Sequence, residues 1–309
     1  MAMLKYVETA FKGTPQARAT HKEALQNNPG ILTGIATLQA LCPVNPDDDP
    51  EEPIFLLSAG WRSGSTLVQR LIMSAPNVFI WGEPYDECGI IQALADTTKA
   101  FRAGWPLQEY YYDGSPPNQL SGNWIANLFP SPQELRHAHR AFFDTMFAEP
   151  AKRAGATRWG IKEVRLGIEH GIYLRWLYPK AKFLFLYRNP LDAYQSYRRY
   201  GRNWYNTWPD KPMFTSTSFG EHWRKLVMGF LKGQEDIDAL VIRYEDLIEG
   251  RMPISNIEQH LGVEIDRSIL GTKVGSSQRD GERARASHLE KWLLKRAVSP
   301  IAKVLGYEW

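Results

Sequence analysis

The sequence predicts an α/β protein with a central parallel sheet and helices on both faces. Three observations predict it. Apolar runs that read as buried strands recur along the chain, most clearly Ile54–Leu57, Lys182–Tyr187 and Leu240–Arg243. Helical patterns follow these runs, so strands alternate with helices, as in a parallel sheet with crossover helices. The first unit, Pro53 to Leu71 (PIFLLSAGWRSGSTLVQRL), runs strand, small-residue loop, helix, the layout of a phosphate-binding loop.

Taken in order, residues 1 to about 44 read as polar and helical. Ile31, Leu32, Ile35, Leu38 and Leu41 are spaced as one amphipathic helix. The acidic, proline-rich run from Asn45 to Pro53 reads as a solvated linker. This divides the chain into a helical N-terminal extension with its linker, residues 1–52, and one main domain, residues 53–309. After the first strand, loop and helix, Val78–Trp81 predicts a second short strand. Residues 99–133 are rich in aromatics, Pro and Gly, too irregular for a core element and suited to cover a pocket. A helix is expected from Ser131 to about Phe147, and another from about Leu166 to Tyr178, after the segment Trp159-Gly160-Ile161-Lys162-Glu163. Asn189 can cap a helix that has Pro190 at its first position and runs to about Tyr200. A helix with Ile254, Ile257 and Leu261 on one face ends at Gly262. From His288 onward the chain reads as helical with a break at Pro300.

Composition narrows the function. The 309 residues are 43% hydrophobic and 23% charged, the balance of a soluble globular protein. A net charge of +3 gives no reason to expect nucleic acid. The two cysteines, Cys42 and Cys88, fit neither a metal-ligand spacing nor a disulfide framework. No signal peptide and no membrane span is legible, so a cytoplasmic protein with free thiols is the expectation.

The loop decides what kind of phosphate it serves. Its backbone N–H groups and the positive end of the following helix dipole point at an anion. The nucleotide-triphosphate form is G-x-x-x-x-G-K-[ST]. Here Ala59 takes the first Gly position, Gly64 the second, and Thr66 the Ser/Thr position, while Ser65 stands where the lysine belongs. The cation appears earlier, at Arg62. The fold expectation is therefore of the P-loop type, a single domain with a helical N-terminal extension, but without the usual contact to a β/γ-phosphate.

A second constellation, Arg188-Asn189-Pro190-Leu191-Asp192-Ala193-Tyr194-Gln195-Ser196, places an arginine at a strand end and a serine on the helix that follows. Asp192, Ser196 and Arg199 share one helix face. Arg188 can grip a phosphate with its planar fork, and Ser196 adds a hydroxyl donor. Pairing of Arg188 with Asp192 as an ordinary cap is the alternative. Both constellations begin where an apolar strand ends, so both can lie at the carboxyl edge of one sheet.

The segment Arg62-Ser63-Gly64-Ser65-Thr66 resembles the 5′-phosphosulfate loop of sulfotransferases, which use 3′-phosphoadenosine 5′-phosphosulfate (PAPS). Arg188 and Ser196 match that family's 3′-phosphate segment in spacing. Trp159-Gly160-Ile161-Lys162 and Val241-Ile242-Arg243-Tyr244-Glu245-Asp246-Leu247 fit the same family in order, so the resemblance covers residues 53 to about 265. It implies a PAPS-dependent transferase with no metal, acting on a hydroxyl or amine of a small-molecule, sugar or phenolic acceptor. Arg62, Ser63, Gly64, Ser65, Thr66, Arg188 and Ser196 would hold the donor. Tyr244 falls where the family has an aromatic near the adenine, although a strand-end tyrosine also serves as core. Lys162 would contact the reacting centre.

The base departs from the cytosolic members, whose histidine position holds Val164. Val78 to Pro84 instead resembles the glutamate segment of tyrosylprotein and carbohydrate sulfotransferases. Glu83, partly buried beside Trp81 and Tyr85, is the expected general base, with Glu163 as rival. The run Ser276–Gly281 is a candidate cover for the 3′-phosphate that departs from the family pattern at Asp280. A P-loop small-molecule kinase and a non-catalytic nucleotide-binding protein of the same fold are the alternatives. The aromatic segments 101–129 and 200–223, the second with Trp204, Tyr205 and Trp208, are candidates for acceptor stacking, lid or core. Residues 1–44 leave a homodimer contact open.

Overall fold

A computed structural model of the chain describes residues 14–19, 30–85, 88–122, 125–200, 213–271 and 285–308. Strands β1 (Ile54–Ser58), β2 (Val78–Trp81), β3 (Arg158–Glu163), β4 (Lys182–Tyr187) and β5 (Ala239–Arg243) form one five-stranded sheet. Its order is β2-β3-β1-β4-β5 and every pairing is parallel. All five residues of the central β1 are buried, which explains why its sequence is a continuous apolar run rather than an alternation.

Successive side chains leave the sheet on opposite faces. Phe55 and Leu57 join Trp159, Ile161, Phe183 and Phe185 in the larger core. Ile54 and Leu56 join Ile80, Leu184, Leu186 and Ile242 in the smaller one. From residue 31 the α-helices follow in chain order: α1 (Ile31–Leu41), α2 (Ser65–Ile72), α3 (Ile90–Asp96), α4 (Pro132–Phe143), α5 (Glu149–Arg153), α6 (Ile168–Leu177), α7 (Pro190–Tyr200), α8 (Ser216–Gly233), α9 (Tyr244–Ile248), α10 (Ile254–Leu261) and α11 (His288–Val304). Helices α1, α6, α8 and α11 cover the larger core, and α2 and α10 the smaller, so the sheet is layered on both sides. No described helix is long and apolar enough to cross a membrane.

Several elements follow their local chemistry. In α1, Ile31, Ile35 and Leu38 are buried in the larger core, whereas Leu32 and Leu41 face solvent. Asn189 caps α7 by accepting from the Leu191 amide at 2.9 Å. Helix α10 stops at Gly262, whose φ of 67° lies in the left-handed region that favours glycine.

Other expectations are corrected. The helix expected to reach Phe147 leaves α-geometry after Phe143, makes a π turn over Asp144–Ala148, and resumes as α5. The Trp81 indole donates to the Phe147 carbonyl within that turn, at 3.0 Å. Helix α11 runs through Pro300 without a break. Its buried face, Leu294, Val298 and Ala302, spans the proline, and Gly220 of α8 lets that face approach closely. Pro300 itself is exposed, so water can satisfy the carbonyl it leaves unbonded. Helices α3 and α8 were not expected from the sequence.

The acidic linker is not simply solvated. Asp47 lies 3.9 Å from Lys180, Glu51 2.9 Å from Lys152, and Glu52 3.8 Å from Arg158. Asp49 is buried against Arg140 and lies 3.6 Å from Arg136. The carboxylates that make this run look solvent-exposed are the groups that fasten it to the domain.

Candidate active site

Parallel strands share a carboxyl edge, and here each strand delivers a site residue to it. β1 leads into the loop 59–64. β2 ends two residues before Glu83. β3 carries Lys162 and Glu163 as its last residues, level with Leu56 and Leu57 of β1. β4 ends at Tyr187, one residue before Arg188, and β5 at Arg243, one residue before Tyr244.

The loop backbone is pinned from both neighbouring strands. The Ala59 amide donates to the Leu186 carbonyl at 2.8 Å and the Gly60 amide to the Val164 carbonyl at 3.1 Å. Gly60, Arg62 and Gly64 all have left-handed φ, at 86°, 66° and 94°. For Arg62 this conformation costs about 1–2 kcal/mol. It accompanies a side chain turned across the site, where Nε donates to Ser196 Oγ at 2.9 Å. Gly64 must be glycine on two counts, because a Cβ there would also lie 2.3 Å from the Tyr244 ring. The first turn of α2 has no side-chain cap, so its amides point into the space above the loop. Ser63 Oγ is buried without a hydrogen-bond partner among the described residues.

That space is a cavity of about 450 Å³ bounded by Arg62, Gly64, Thr66, Arg70, Arg188 and Tyr244. The Arg188 guanidinium lies 4.6 Å from the Tyr244 ring centroid, and its Nη1 donates to the Arg62 carbonyl at 3.3 Å. Its Nε is buried with no partner, and no carboxylate pairs with it among the described residues. Asp192 faces solvent, so the alternative of an Arg188–Asp192 cap pair is not what the structure contains. The Arg188 backbone is held from two sides. Its carbonyl accepts from the Trp223 indole at 3.0 Å, and the next amide, of Asn189, donates to Glu245 Oε1 at 2.8 Å.

Near the ends of β2 and β3, Lys162 Nζ pairs with Glu83 Oε1, and the Trp61 indole donates to Glu83 Oε2 at 3.0 Å. Glu83 keeps 18% side-chain exposure and Lys162 only 6%. The aromatic that touches the Glu83 carboxylate is thus Trp61, from the loop itself. Tyr85 points largely to solvent, and the Trp81 indole is engaged elsewhere. Glu163 has a different environment. It is fully buried, bound by Arg165 Nε at 2.8 Å and Nη2 at 2.7 Å, and accepts from the Val164 amide at 2.8 Å. Burial pushes its carboxyl above the ordinary range against the pull of Arg165.

The structure therefore brings Arg62, Gly64, Ser65, Thr66, Arg188 and Tyr244 around one space, with Ser196 bonded to Arg62 and the Glu83–Lys162 pair tied to the same loop through Trp61. The Arg199 side chain, Trp204, Tyr205, Trp208 and the run Ser276–Gly281 lie outside the described residues. Sequence reasoning missed Trp61, Arg70, Trp223 and Glu245. Trp61 had a signal, a single bulky aromatic in a loop of small residues. Arg70 lies one helical turn after Thr66, on the same face of α2.

A sequence model described as the sulfotransferase family matches residues 53–267. The chain belongs to the sulfotransferase family. Among solved structures, this sulfotransferase-family chain is similar to mouse sulfotransferase SULT7A1 complexed with PAP. The identity is 14%, with 89% of this chain and 92% of that one covered and a TM-score of 0.41. The sulfotransferase domain from the curacin biosynthetic pathway is 17% identical, with 84% and 99% covered and a TM-score of 0.47. Sulfotransferase STF9 from Mycobacterium avium is 15% identical, with 96% and 87% covered and a TM-score of 0.42. No curated protein matches the chain.

Proposed function

We propose that this sulfotransferase-family chain moves the sulfuryl group of PAPS to a hydroxyl or amine of a small-molecule or carbohydrate acceptor, with Glu83 as general base. The observation that carries this reading is the Glu83–Lys162 pair, hydrogen-bonded through Trp61 to the loop whose Arg62 reaches Ser196. A carboxylate and a cation stand beside a phosphate cradle, and the carboxylate remains reachable from solvent.

The residues present fit such a donor. Arg188 lines the cavity and its Nε is buried without a partner among the described residues, as expected of a side chain that waits for an anion. PAPS when bound supplies an activated sulfuryl group on a phosphate leaving group. The α2 amides, Ser65, Thr66 and Arg62 neutralise charge at the 5′ end. Arg188 and Ser196 would hold the 3′-phosphate, and Tyr244 would contact the nucleoside. Lys162 stabilises charge near the reacting atoms, and Glu83 accepts the acceptor's proton. Glu163 is a poor rival because Arg165 and the backbone amides already occupy its carboxylate.

Incubation with ³⁵S-labelled PAPS and a panel of phenols, sugars, amines and alcohols tests the reading, with ATP and magnesium as a control for kinase activity. Label is expected in an acceptor. Glu83→Gln should keep its affinity for adenosine 3′,5′-bisphosphate (PAP) and lose turnover by at least a hundredfold. Undiminished turnover in that variant removes Glu83 from the mechanism, and phosphate transfer from ATP without sulfuryl transfer overturns the donor.

A further inference from the structure

The loop that cradles the donor is built from small residues except at one point. Between Ser58-Ala59-Gly60 and Ser63-Gly64-Ser65 stand Trp61 and Arg62. Arg62 is explained by its reach to Ser196. Trp61 needs a separate reason, since a bulky indole inside a phosphate loop constrains the turn. The backbone shows the constraint, because the residues on both sides of Trp61 have left-handed φ. This alternation turns the indole into the larger core, where it is 7% exposed, and turns Arg62 outward across the cavity.

An indole N–H can only donate, and when buried it needs an acceptor. Its acceptor is Glu83 Oε2 at 3.0 Å, twenty-two residues along the chain and on a different strand's end. A carboxylate has roughly four lone-pair sites. Trp61 takes one on Oε2 and Lys162 one on Oε1, so the carboxylate plane is fixed from both ends and still has sites for an incoming proton. Of these two donors only Trp61 is neutral, so its hold does not depend on where Lys162 directs its charge. It is also one peptide from Arg62.

We infer that Trp61 is a positioning residue whose indole N–H orients the Glu83 carboxylate and registers it to the donor loop. The inference rests on the reading of Glu83 as the base. Trp61 touches neither donor nor acceptor in this scheme and acts through Glu83.

Trp61→Phe keeps the ring and removes the N–H. With the acceptor that gives the highest turnover in the panel above, kcat is expected to fall about tenfold to a hundredfold, the loss of a hydrogen bond to a charged group. The KM for PAPS and the affinity for PAP should stay within about twofold, which a general loosening of the loop would not allow. The double variant with Glu83→Gln should lose no more than Glu83→Gln alone, because both act through one group. An acceptor-free arm uses the ¹⁵N–¹H resonance of the Trp61 indole, assigned by its absence in Trp61→Phe, which should shift in Glu83→Gln.

Wild-type kcat in Trp61→Phe overturns the inference, as does an indole resonance unmoved by Glu83→Gln, or a further loss in the double variant. If Trp61→Phe loses PAP binding, the isosteric benzothienylalanine at position 61 decides. Full PAP affinity with reduced kcat supports the N–H role, and wild-type kcat or lost PAP binding overturns it. Undiminished turnover in Glu83→Gln is a separate result that removes the base reading itself.

Discussion

Arg188→Ala separates a ligand-waiting arginine from a structural one. In the free protein the side chain makes one long hydrogen bond, Nη1 to the Arg62 carbonyl at 3.3 Å, and lies 4.6 Å from the Tyr244 ring centroid. The ring contact is worth about 1 kcal/mol. Against it stands Nε, buried without a partner, a group that costs about 1–3 kcal/mol. These terms offset, so the alanine variant should melt near the wild-type temperature. In the complex the same substitution removes charge-assisted bonds to a phosphate, worth about 1.5–3 kcal/mol. The dissociation constant for PAP should therefore rise roughly tenfold to a hundredfold. Titration calorimetry measures this directly. A thermal melt at fixed excess PAP gives a second reading, because ligand stabilisation falls by about 1.4 kcal/mol for each tenfold loss of affinity. Arg188→Lys should fall between, keeping the charge without the fork. Unchanged affinity in Arg188→Ala, or an apo protein that melts far below wild type, would refute the reasoning.

Four further outcomes follow from the fold. Asp49→Ala should destabilise by about 3 kcal/mol in urea unfolding, because it leaves two largely buried guanidinium groups without their carboxylate. Glu51→Gln, at a pair exposed on the lysine side, should change stability by less than about 1 kcal/mol. Pro300→Ala should stabilise by about 2 kcal/mol, the roughly 3 kcal/mol helix penalty of proline less its restriction of the unfolded chain, as read from the same unfolding curves. Burial holds the His139 and His260 imidazoles below the ordinary histidine range. Such groups bind protons more readily in the unfolded state, so their contribution is full above about pH 6.5 and lost as pH falls toward the depressed folded values. The stability these imidazoles contribute should decline from pH 7 to pH 5, and His139→Gln should change the slope of stability with pH over that range by up to about 1.4 kcal/mol per pH unit. An identical slope in the variant would show that His139 does not titrate with unfolding.

What was legible in the sequence is what local chemistry determines. β1, β2 and β4 are apolar runs with both faces covered, and Asn189, Pro190 and Gly262 mark helix ends by their own geometry. The candidate cavity residues were legible because Arg188 and Tyr244 directly follow a strand and Arg62 to Thr66 lie in the loop and helix start after β1, where chain order places them at the carboxyl edge. Elements set by distant packing were less visible. Helix α8 begins in a stretch whose aromatics read equally as acceptor stacking, lid or core, and Phe219, Trp223 and Phe230 are buried in the larger core. Pro300 obeyed its partner helix rather than its own preference. The acids from Asp47 to Glu52 looked solvated because their basic partners lie about ninety or more residues away in sequence.

The same distinction explains why Glu83 was singled out from the sequence and the residue that holds its carboxylate was not. Glu83 belongs to a contiguous segment, and contiguous segments can be compared. Trp61, Trp223 and Glu245 act across the fold, each through one hydrogen bond to a residue from another strand's end. Parallel topology makes such bonds short-range in space, because the sheet order β2-β3-β1-β4-β5 puts the loop after β1 between Lys162 on one side and Arg188 on the other. The central strand thus carries the one segment able to touch both halves of the site. Trp61 points toward the Glu83–Lys162 pair while Arg62 points toward Ser196, and the two left-handed residues at positions 60 and 62 are what permit consecutive side chains to diverge in this way. The Trp61–Glu83 and Arg62–Ser196 hydrogen bonds are therefore set by one turn of backbone, and a change that relaxes either left-handed residue should disturb both together.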